Sequence, residues 1–321
     1  MKPIPDEVRA ALCRRIGVDD GALSFLGGGR GDSDGIVYRT GCGRAIKLLG
    51  FDGDGGEALA ALCERMRFAA HLGAWDVPAG RPLALPDGAL YASVERPDAT
   101  YVAYLMPLLP GRCPENAELT PALVAAWGRL TGRSHRATKS FARQYAPPGE
   151  LSHQSEMRFF RGWCRDPGGK AAWDALAARV DALPRDIDNY GFIHNDNHSR
   201  NILVEGEQVS LIDFDCANAQ FFIQDVLTPM QGLLFEVGGF FEPARDRDRL
   251  TGFLDAFLSG YERENHLADA EIARLDLFLS YRRLLLFTCM QDWLDTQPEI
   301  RSGFRALIAD PPAPFAGCLR A

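Results

Sequence analysis

A chain of 321 residues has room for two domains, or one domain with two lobes, around a substantial core. Its 46% apolar and 24% charged residues set aside a fibrous or disordered chain and fit a soluble globular enzyme. A formal net charge of −8 argues against nucleic acid as the main partner, because a phosphate backbone calls for a basic face.

Residues 5–16 read as a short amphipathic helix, in a stretch without the apolar core of a signal peptide. From 23 to 50 the pattern becomes short apolar runs between glycines: Leu23–Leu26, Gly35–Arg39 and Arg44–Leu49, read as strands. The first two are joined by a glycine-rich segment holding Gly28, Gly29 and Gly31, where the backbone could approach a phosphate closely. The third carries Lys47 between Ile46 and Leu48. Lysine stands only at 2, 47, 139 and 170, and every other basic residue is arginine, so a lysine in an apolar strand is conspicuous. Apolar positions at helical spacing (Leu59, Leu62, Met66, Ala69, Ala70) predict a helix over 56–74. Strands resume near 88–95 and 100–106 with Pro97-Asp98 as the turn.

After Pro107-Leu108-Leu109-Pro110-Gly111 the character changes. Helices are predicted over 120–138, 152–164, 169–182, 222–236, 247–264 and 269–295, interrupted by two short strands, Ile202–Val204 and Val209–Ile212, around a Glu205-Gly206-Glu207 turn. The whole is an α+β chain: a small antiparallel sheet with one inserted helix over 1–106, then a larger, mostly helical part over 107–321. Eight cysteines (13, 42, 63, 113, 164, 216, 289 and 318) include no zinc-type pair and read as reduced thiols. No run of 18 apolar residues occurs, and the stretch around Leu284–Met290 follows Arg282 and Arg283, as in a buried helix. A cytoplasmic protein without a membrane partner is expected, as monomer or homodimer.

Residues 191–215 carry the chemistry. Asp196 and Asn201 stand five apart on a loop, and Asp213 lies just past a short apolar strand. A carboxylate with an amide oxygen suits a hard cation such as Mg²⁺, completed by water and phosphate. Asp196 is then free to orient a hydroxyl and accept its proton.

The pattern H-x-D-x-x-x-x-N from His194 to Asn201, followed by a hairpin and Ile212-Asp213-Phe214-Asp215, resembles the aminoglycoside phosphotransferase and choline kinase superfamily. That resemblance implies the two-lobed protein-kinase-like fold, and ATP with Mg²⁺ as cofactors. It implies Asp196 as catalytic base, Asn201 and Asp213 on the metal, and His194 in a structural role. Lys47 resembles the lysine that contacts the α- and β-phosphates, and Glu64, with Glu57 as runner-up, would be its carboxylate partner on the inserted helix. Pro107 and Leu109 resemble the hinge, offering a carbonyl and an N–H to the adenine edge. Asn195 and Arg200 depart from the family form, which commonly has glycine at both places. His198 is expected to be structural, Asp215 to aid the metal or shape the turn, and Asp225 to brace the loop or cap a helix.

The acceptor site would be built by the C-terminal helices and loops, which carry Glu236, Glu242, Asp255, Glu262, Glu264, Asp292 and Asp295 with Trp293, Phe240 and Phe241. Acids with aromatics could hold an amine, whereas Arg282 and Arg283 could bind an acidic acceptor or serve as internal ion-pair partners. The resulting expectation is an ATP- and Mg²⁺-dependent kinase acting on a small-molecule hydroxyl, with aminoglycoside, amino-alcohol, homoserine-like and sugar acceptors open. The alternatives are a stress-response protein Ser/Thr kinase, opposed by the lack of an A-P-E segment after Asp213, and a regulatory pseudokinase, opposed by competent residues at 47, 196, 201 and 213.

Overall fold

The computed structural model describes residues 3–29, 35–144, 151–236 and 246–310. The chain divides into two compact units. One comprises Met1–Gly111 with Ser210–Asp215, and the other comprises Arg112–Val209 with Cys216–Ala321.

In the first unit, α1 (Asp6–Ile16) precedes strands β1 (Ser24–Gly28), β2 (Ile36–Arg39) and β3 (Arg44–Asp52). Helix α2 (Gly56–Gly73) is inserted before β4 (Ala92–Arg96) and β5 (Ala99–Pro107). The five strands pair in the order β1-β2-β3-β5-β4, antiparallel throughout. The two-residue period of the strands divides the core between the two faces. Ile46 and Leu48 of β3 join Tyr101, Ala103 and Leu105 of β5 against Val8, Leu12 and Ile16 of α1. Leu49, Val102 and Tyr104 pack against Leu62 and Met66 of α2. Lys47, with odd-numbered Leu49, therefore belongs to the α2 face and lies opposite Tyr104 in the register.

The second unit is mainly helical: α3 (Pro121–Gln144), α4 (His153–Trp163), α5 (Pro167–Asp181), α6 (Phe222–Leu227), α7 (Gln231–Glu236), α8 (Arg247–Tyr261), α9 (Asp269–Ile272), α10 (Leu275–Cys289), α11 (Gln291–Asp295) and α12 (Pro298–Ala309). Two four-residue strands absent from the sequence reading, β6 (Tyr190–Ile193) and β9 (Asn218–Phe221), pair antiparallel and flank the chemical loop. Neither alternates, since the last three residues of β6 and all four of β9 are buried, so no two-residue period marks them. The hairpin β7 (Ile202–Glu205) and β8 (Gln208–Leu211) forms as expected and turns at Gly206.

Two long helices of the sequence reading are broken. The one over 222–236 is interrupted by a 3₁₀ turn, Thr228–Met230, whose Pro229 has no N–H to give to a helix. The one over 269–295 becomes α9, α10 and α11, separated at Arg274 and at Met290. No described helix is long and apolar enough to cross a membrane.

Candidate active site

In the first unit, Lys47 is almost fully buried on β3, and its ammonium meets two carboxylates. Its Nζ donates to Asp213 Oδ1 at 3.0 Å and to Asp215 Oδ2 at 2.6 Å. Burial pulls the Lys47 pKa down, but the Asp215 carboxylate foremost, with Asp213, outweighs it and holds the ammonium well above the ordinary lysine range. Burial raises Asp215, the Lys47 charge opposes this, and the neighbouring Asp213 carboxylate adds to the rise. Asp213 is 49% exposed at its side chain and has φ of 64°, an unfavourable left-handed backbone for a non-glycine residue. The end of β8 is fixed just before it, because Leu211 N–H donates to Pro78 O and Gly80 N–H donates to Leu211 O.

The expected Lys47–Glu64 pair is not formed. Glu64 is ion-paired with Arg67, one turn along α2. The helix supplies that i,i+3 partner locally, and Lys47 is already satisfied by the two aspartates. Glu57 is exposed near the start of α2. Gly28 ends β1 and Gly29 follows, both at positive φ (86° and 70°); Gly31 lies outside the described residues. Pro107 ends β5, and among the described residues no backbone carbonyl takes the Leu109 N–H.

In the second unit the loop after β6 holds Asp196 and Asn201, with His194 ahead of them. Two backbone donors, His194 N–H at 2.9 Å and Asn195 N–H at 2.8 Å, reach opposite oxygens of the buried Asp225 carboxylate on α6. Asp225 thus braces the loop. Asn197 fixes it to α3, accepting from Trp127 Nε1 at 2.8 Å and donating to Thr131 Oγ1 at 2.9 Å. Asn195 has φ of 68°. Asparagine is the side chain best able to replace glycine in that region, which accounts for the departure at this position.

Asp196, 27% exposed at its side chain, is caught from three directions. Arg282 Nη2 donates to Oδ1 at 2.9 Å. Asn201 Nδ2 donates to Oδ2 at 3.0 Å and to the Asp196 carbonyl at 2.8 Å. His198 Nε2 lies 3.2 Å from Oδ2. Arg200 N–H donates to His198 Nδ1 at 3.1 Å, so that nitrogen is an acceptor and the ring proton sits on Nε2, facing Asp196. Burial would raise the Asp196 carboxyl, but the His198 hydrogen bond and the Arg282 charge outweigh it and hold the group well below the usual carboxylate range. Asn201 spends its amide N–H on Asp196, which leaves its Oδ1 for another partner.

Glu156 and Tyr281 of this cluster carry no sequence signal. Glu156 of α4 accepts from Asn195 Nδ2 and from Asn218 Nδ2, each at 2.7 Å, and from the Tyr281 hydroxyl. Its contact with Asn195 spans 39 positions, beyond the reach of any local pattern. Arg282, weighed as an acceptor ligand or an internal partner, is the partner of Asp196. Most of the acids proposed for the acceptor are engaged elsewhere: Glu236 with Arg249, Glu262 with His266, Glu264 with three arginines of α3, and Asp292 and Asp295 with Arg165. Phe240, Phe241 and Glu242 lie outside the described residues. Among the described residues no three His, Cys, Asp or Glu side chains gather as a metal centre.

The sequence profile of the phosphotransferase enzyme family (APH) matches residues 55–277, a span that holds Asp196, Asn201 and Asp213 but begins after Lys47. An amicoumacin kinase of Bacillus subtilis (strain 168) is 24% identical over 316 residues, covering 94% of this chain and 90% of that protein. A homoserine kinase of Rhodospirillum rubrum is 30% identical over 239 residues, covering 71% of this chain and 68% of that protein. Among solved structures, an amicoumacin kinase in complex with AMP-PNP, Ca²⁺ and Ami has a TM-score of 0.77 at 20% identity, covering 93% of this chain and 90% of that one. A microcompartment-associated aminopropanol kinase has a TM-score of 0.70 at 19% identity, covering 95% and 97%. These likenesses show the protein-kinase-like fold.

Proposed function

This chain belongs to the phosphotransferase enzyme family, and from that premise we propose that it moves the γ-phosphoryl group of ATP, with Mg²⁺, onto a hydroxyl of a small molecule. The observation that carries the reading is the setting of Asp196. Three donors hold it as a carboxylate, two on Oδ2 and one on Oδ1. A carboxylate offers about four acceptor positions, so Oδ1 keeps one for the proton of an alcohol. Such a weak base suits phosphoryl transfer, where the bond to the nucleophile is little formed at the transition state and positioning matters more than basicity. The acceptor oxygen bonds to phosphorus, the bond from phosphorus to the bridging oxygen of ADP breaks, and the hydroxyl proton passes to Asp196.

Lys47 is proposed to meet the α- and β-phosphates, the backbone at Gly28 and Gly29 to border them, and the Pro107 carbonyl and Leu109 N–H to meet the adenine edge. Asn201 Oδ1 and Asp213 fit a hard cation in kind. The charge also fits, since two carboxylates face one ammonium at Lys47 and leave an excess negative charge. Bound there, Mg²⁺ would neutralise phosphate charge. The AMP-PNP and Ca²⁺ of the amicoumacin kinase complex support a nucleoside triphosphate with a divalent ion. The homoserine and aminopropanol kinases support an amine-bearing alcohol as acceptor.

The test is a panel of amino alcohols, amino sugars and sugars incubated with ATP, with and without Mg²⁺, and followed by mass spectrometry. We expect ADP together with a product heavier by one phosphoryl group, and neither without the metal. ATP turnover that needs no acceptor, or no phosphorylated alcohol across the panel, would overturn the proposal.

A further inference from the structure

Two neighbours decide where the Asp196 carboxylate lies: Asn195, which precedes it in the chain, and Arg282, which holds its Oδ1. Glu156, in the first turn of α4, reaches towards both. Its Oε2 accepts from Asn195 Nδ2 and from Asn218 Nδ2, each at 2.7 Å. Its Oε1 accepts from the hydroxyl of Tyr281, the residue before Arg282 on α10. Burial raises the Glu156 carboxyl, while these three hydrogen bonds and the Arg282 charge oppose the rise. All of its bonds go to the scaffold of the site.

The Asn195 side chain has one orientation open to it. Its Nδ2 spends one N–H on Glu156 and the other on the Cys216 carbonyl at 3.1 Å. Turned over, the amide would set its oxygen against two acceptors. The backbone N–H of the same residue is held by Asp225, and its φ of 68° is a conformation that needs support. Glu156 and Asp225 therefore grip Asn195 by side chain and by backbone, and so fix the direction in which the chain enters Asp196. The grip is itself anchored. Ser152 Oγ caps α4 by accepting from Ser155 N–H, and the Leu151 carbonyl takes the Ala219 N–H of β9 at 3.2 Å. Asn218 stands opposite Ile193 in the β6–β9 register, so Glu156 ties the end of that ladder to the loop that leaves it.

We propose that Glu156 is a positioning residue for the phosphoryl transfer: a single carboxylate on α4 fixes the backbone that presents Asp196 and the residue that precedes the arginine on its Oδ1. The inference rests on the reading that Asp196 serves a hydroxyl, and it assigns a kinetic role to a residue that does not bond the base.

Steady-state kinetics of the intact chain, on an acceptor that the parent chain phosphorylates, test it with Glu156→Gln, Asn195→Gly and the two combined. Glutamine keeps the shape, but its neutral oxygen holds the asparagines less firmly than a carboxylate, and the Tyr281 hydroxyl must turn to accept from its N–H. We expect kcat lower by about tenfold or more, with KM for ATP within about twofold of the parent value. Glycine suits the φ of residue 195 and removes only the amide. Glu156→Gln should accordingly cost less in the Asn195→Gly chain than in the parent chain, because both changes break one link. Tyr281→Phe, which deletes only the third bond, is read by the same kcat and KM criteria if Glu156→Gln does not fold. Hydrogen–deuterium exchange over residues 190–200, without substrate, should be faster in Glu156→Gln, with exchange over 99–107 unchanged. Any of three results overturns the inference: a kcat within about twofold of the parent, losses that multiply in full in the combined variant, or loop exchange equal to that of the parent. A parent chain that phosphorylates no acceptor contradicts the kinase reading instead, and the exchange result then decides whether Glu156 holds the loop.

Discussion

Asp196 and Lys47 are each defined by partners of opposite charge, and those partners decide what substitution should do. Arg282 is 5% exposed at its side chain, and it reaches Gln231 through Nε as well as Asp196 through Nη2. Arg282→Met should lower kcat on the order of 10²-fold with a smaller change in KM, because it loosens a reacting group rather than a binding contact. Arg282→Lys should restore only part of the loss, since a single ammonium cannot span the two acceptors as a guanidinium does. Unchanged kcat in Arg282→Met would show the pair to be merely structural. Lys47→Met removes from Asp213 and Asp215 the ammonium that both contact, leaving the Arg65 charge to act on Asp215. As Asp213 is half exposed and water can reach it, the expected cost is about 1–3 kcal/mol in urea unfolding, with loss of nucleotide affinity beside it.

At the scale of elements, the crossing of α3 and α8 is as tight as backbones permit. A Cβ on Gly128 would sit 1.9 Å from the Phe257 carbonyl oxygen, and one on Gly260 would sit 1.8 Å from that of Ala125. Gly260→Ala must push the helices apart, and the denaturation midpoint should fall by the equivalent of about 1–3 kcal/mol. The same pair of helices is tied by Glu264, just past α8, to Arg129, Arg133 and Arg136 of α3. Burial would raise the Glu264 carboxyl, but the bonds from Arg133 and Arg129 outweigh it and hold it at about 2. A folded value below the unfolded one of about 4.3 means that the stabilisation is present at neutral pH and is lost as pH falls from that value towards 2. Glu264→Gln should therefore lower the melting temperature at neutral pH and make little difference near pH 2; equal effects at both would refute this assignment. Periodicity was enough to reveal these long helices, and the five-strand sheet was legible from short apolar runs bounded by glycines and turns, the most buried of them β3 and β5. It failed for β6 and β9, which are buried without a two-residue period and lack the glycine turn that marked the equally short β7 and β8, and for the helix over 222–236, whose apolar pattern runs on across Pro229 although the hydrogen-bond ladder does not.

Across the molecule, the motif from His194 to Asp215 was legible because its residues are close in sequence, and Lys47 because lysine is scarce. Glu156, Tyr281 and the identity of the partner of Arg282 were not, since these residues reach the loop from helices far along the chain and depend on tertiary packing; the ion-pair role of Arg282 was one of the two expected of it. The carboxylate partner expected for Lys47 at Glu64 differs from the observed ones for the same reason: the resemblance placed it on α2, while the segment just past the hairpin supplies Asp213 and Asp215. Lys47, Asp213 and Asp215 belong to one compact unit and Asp196 and Asn201 to the other. Nucleotide and metal are both proposed to meet the first unit, at Lys47 and Asp213, and should stabilise the chain jointly. ATP with Mg²⁺ at about a hundredfold excess over Kd should add about 2.7 kcal/mol, and Asp213→Asn should remove the Mg²⁺-dependent part of the thermal shift.

The most direct measurement is steady-state turnover of Asp196→Asn on a phosphorylated acceptor, with ATP affinity measured on the same preparation. The substitution is nearly isosteric and keeps an oxygen facing Arg282, so the fold and nucleotide binding should survive. The account predicts unchanged ATP affinity and a kcat lower by about 10²–10⁴-fold. A variant that turns over within about twofold of the parent chain would contradict it.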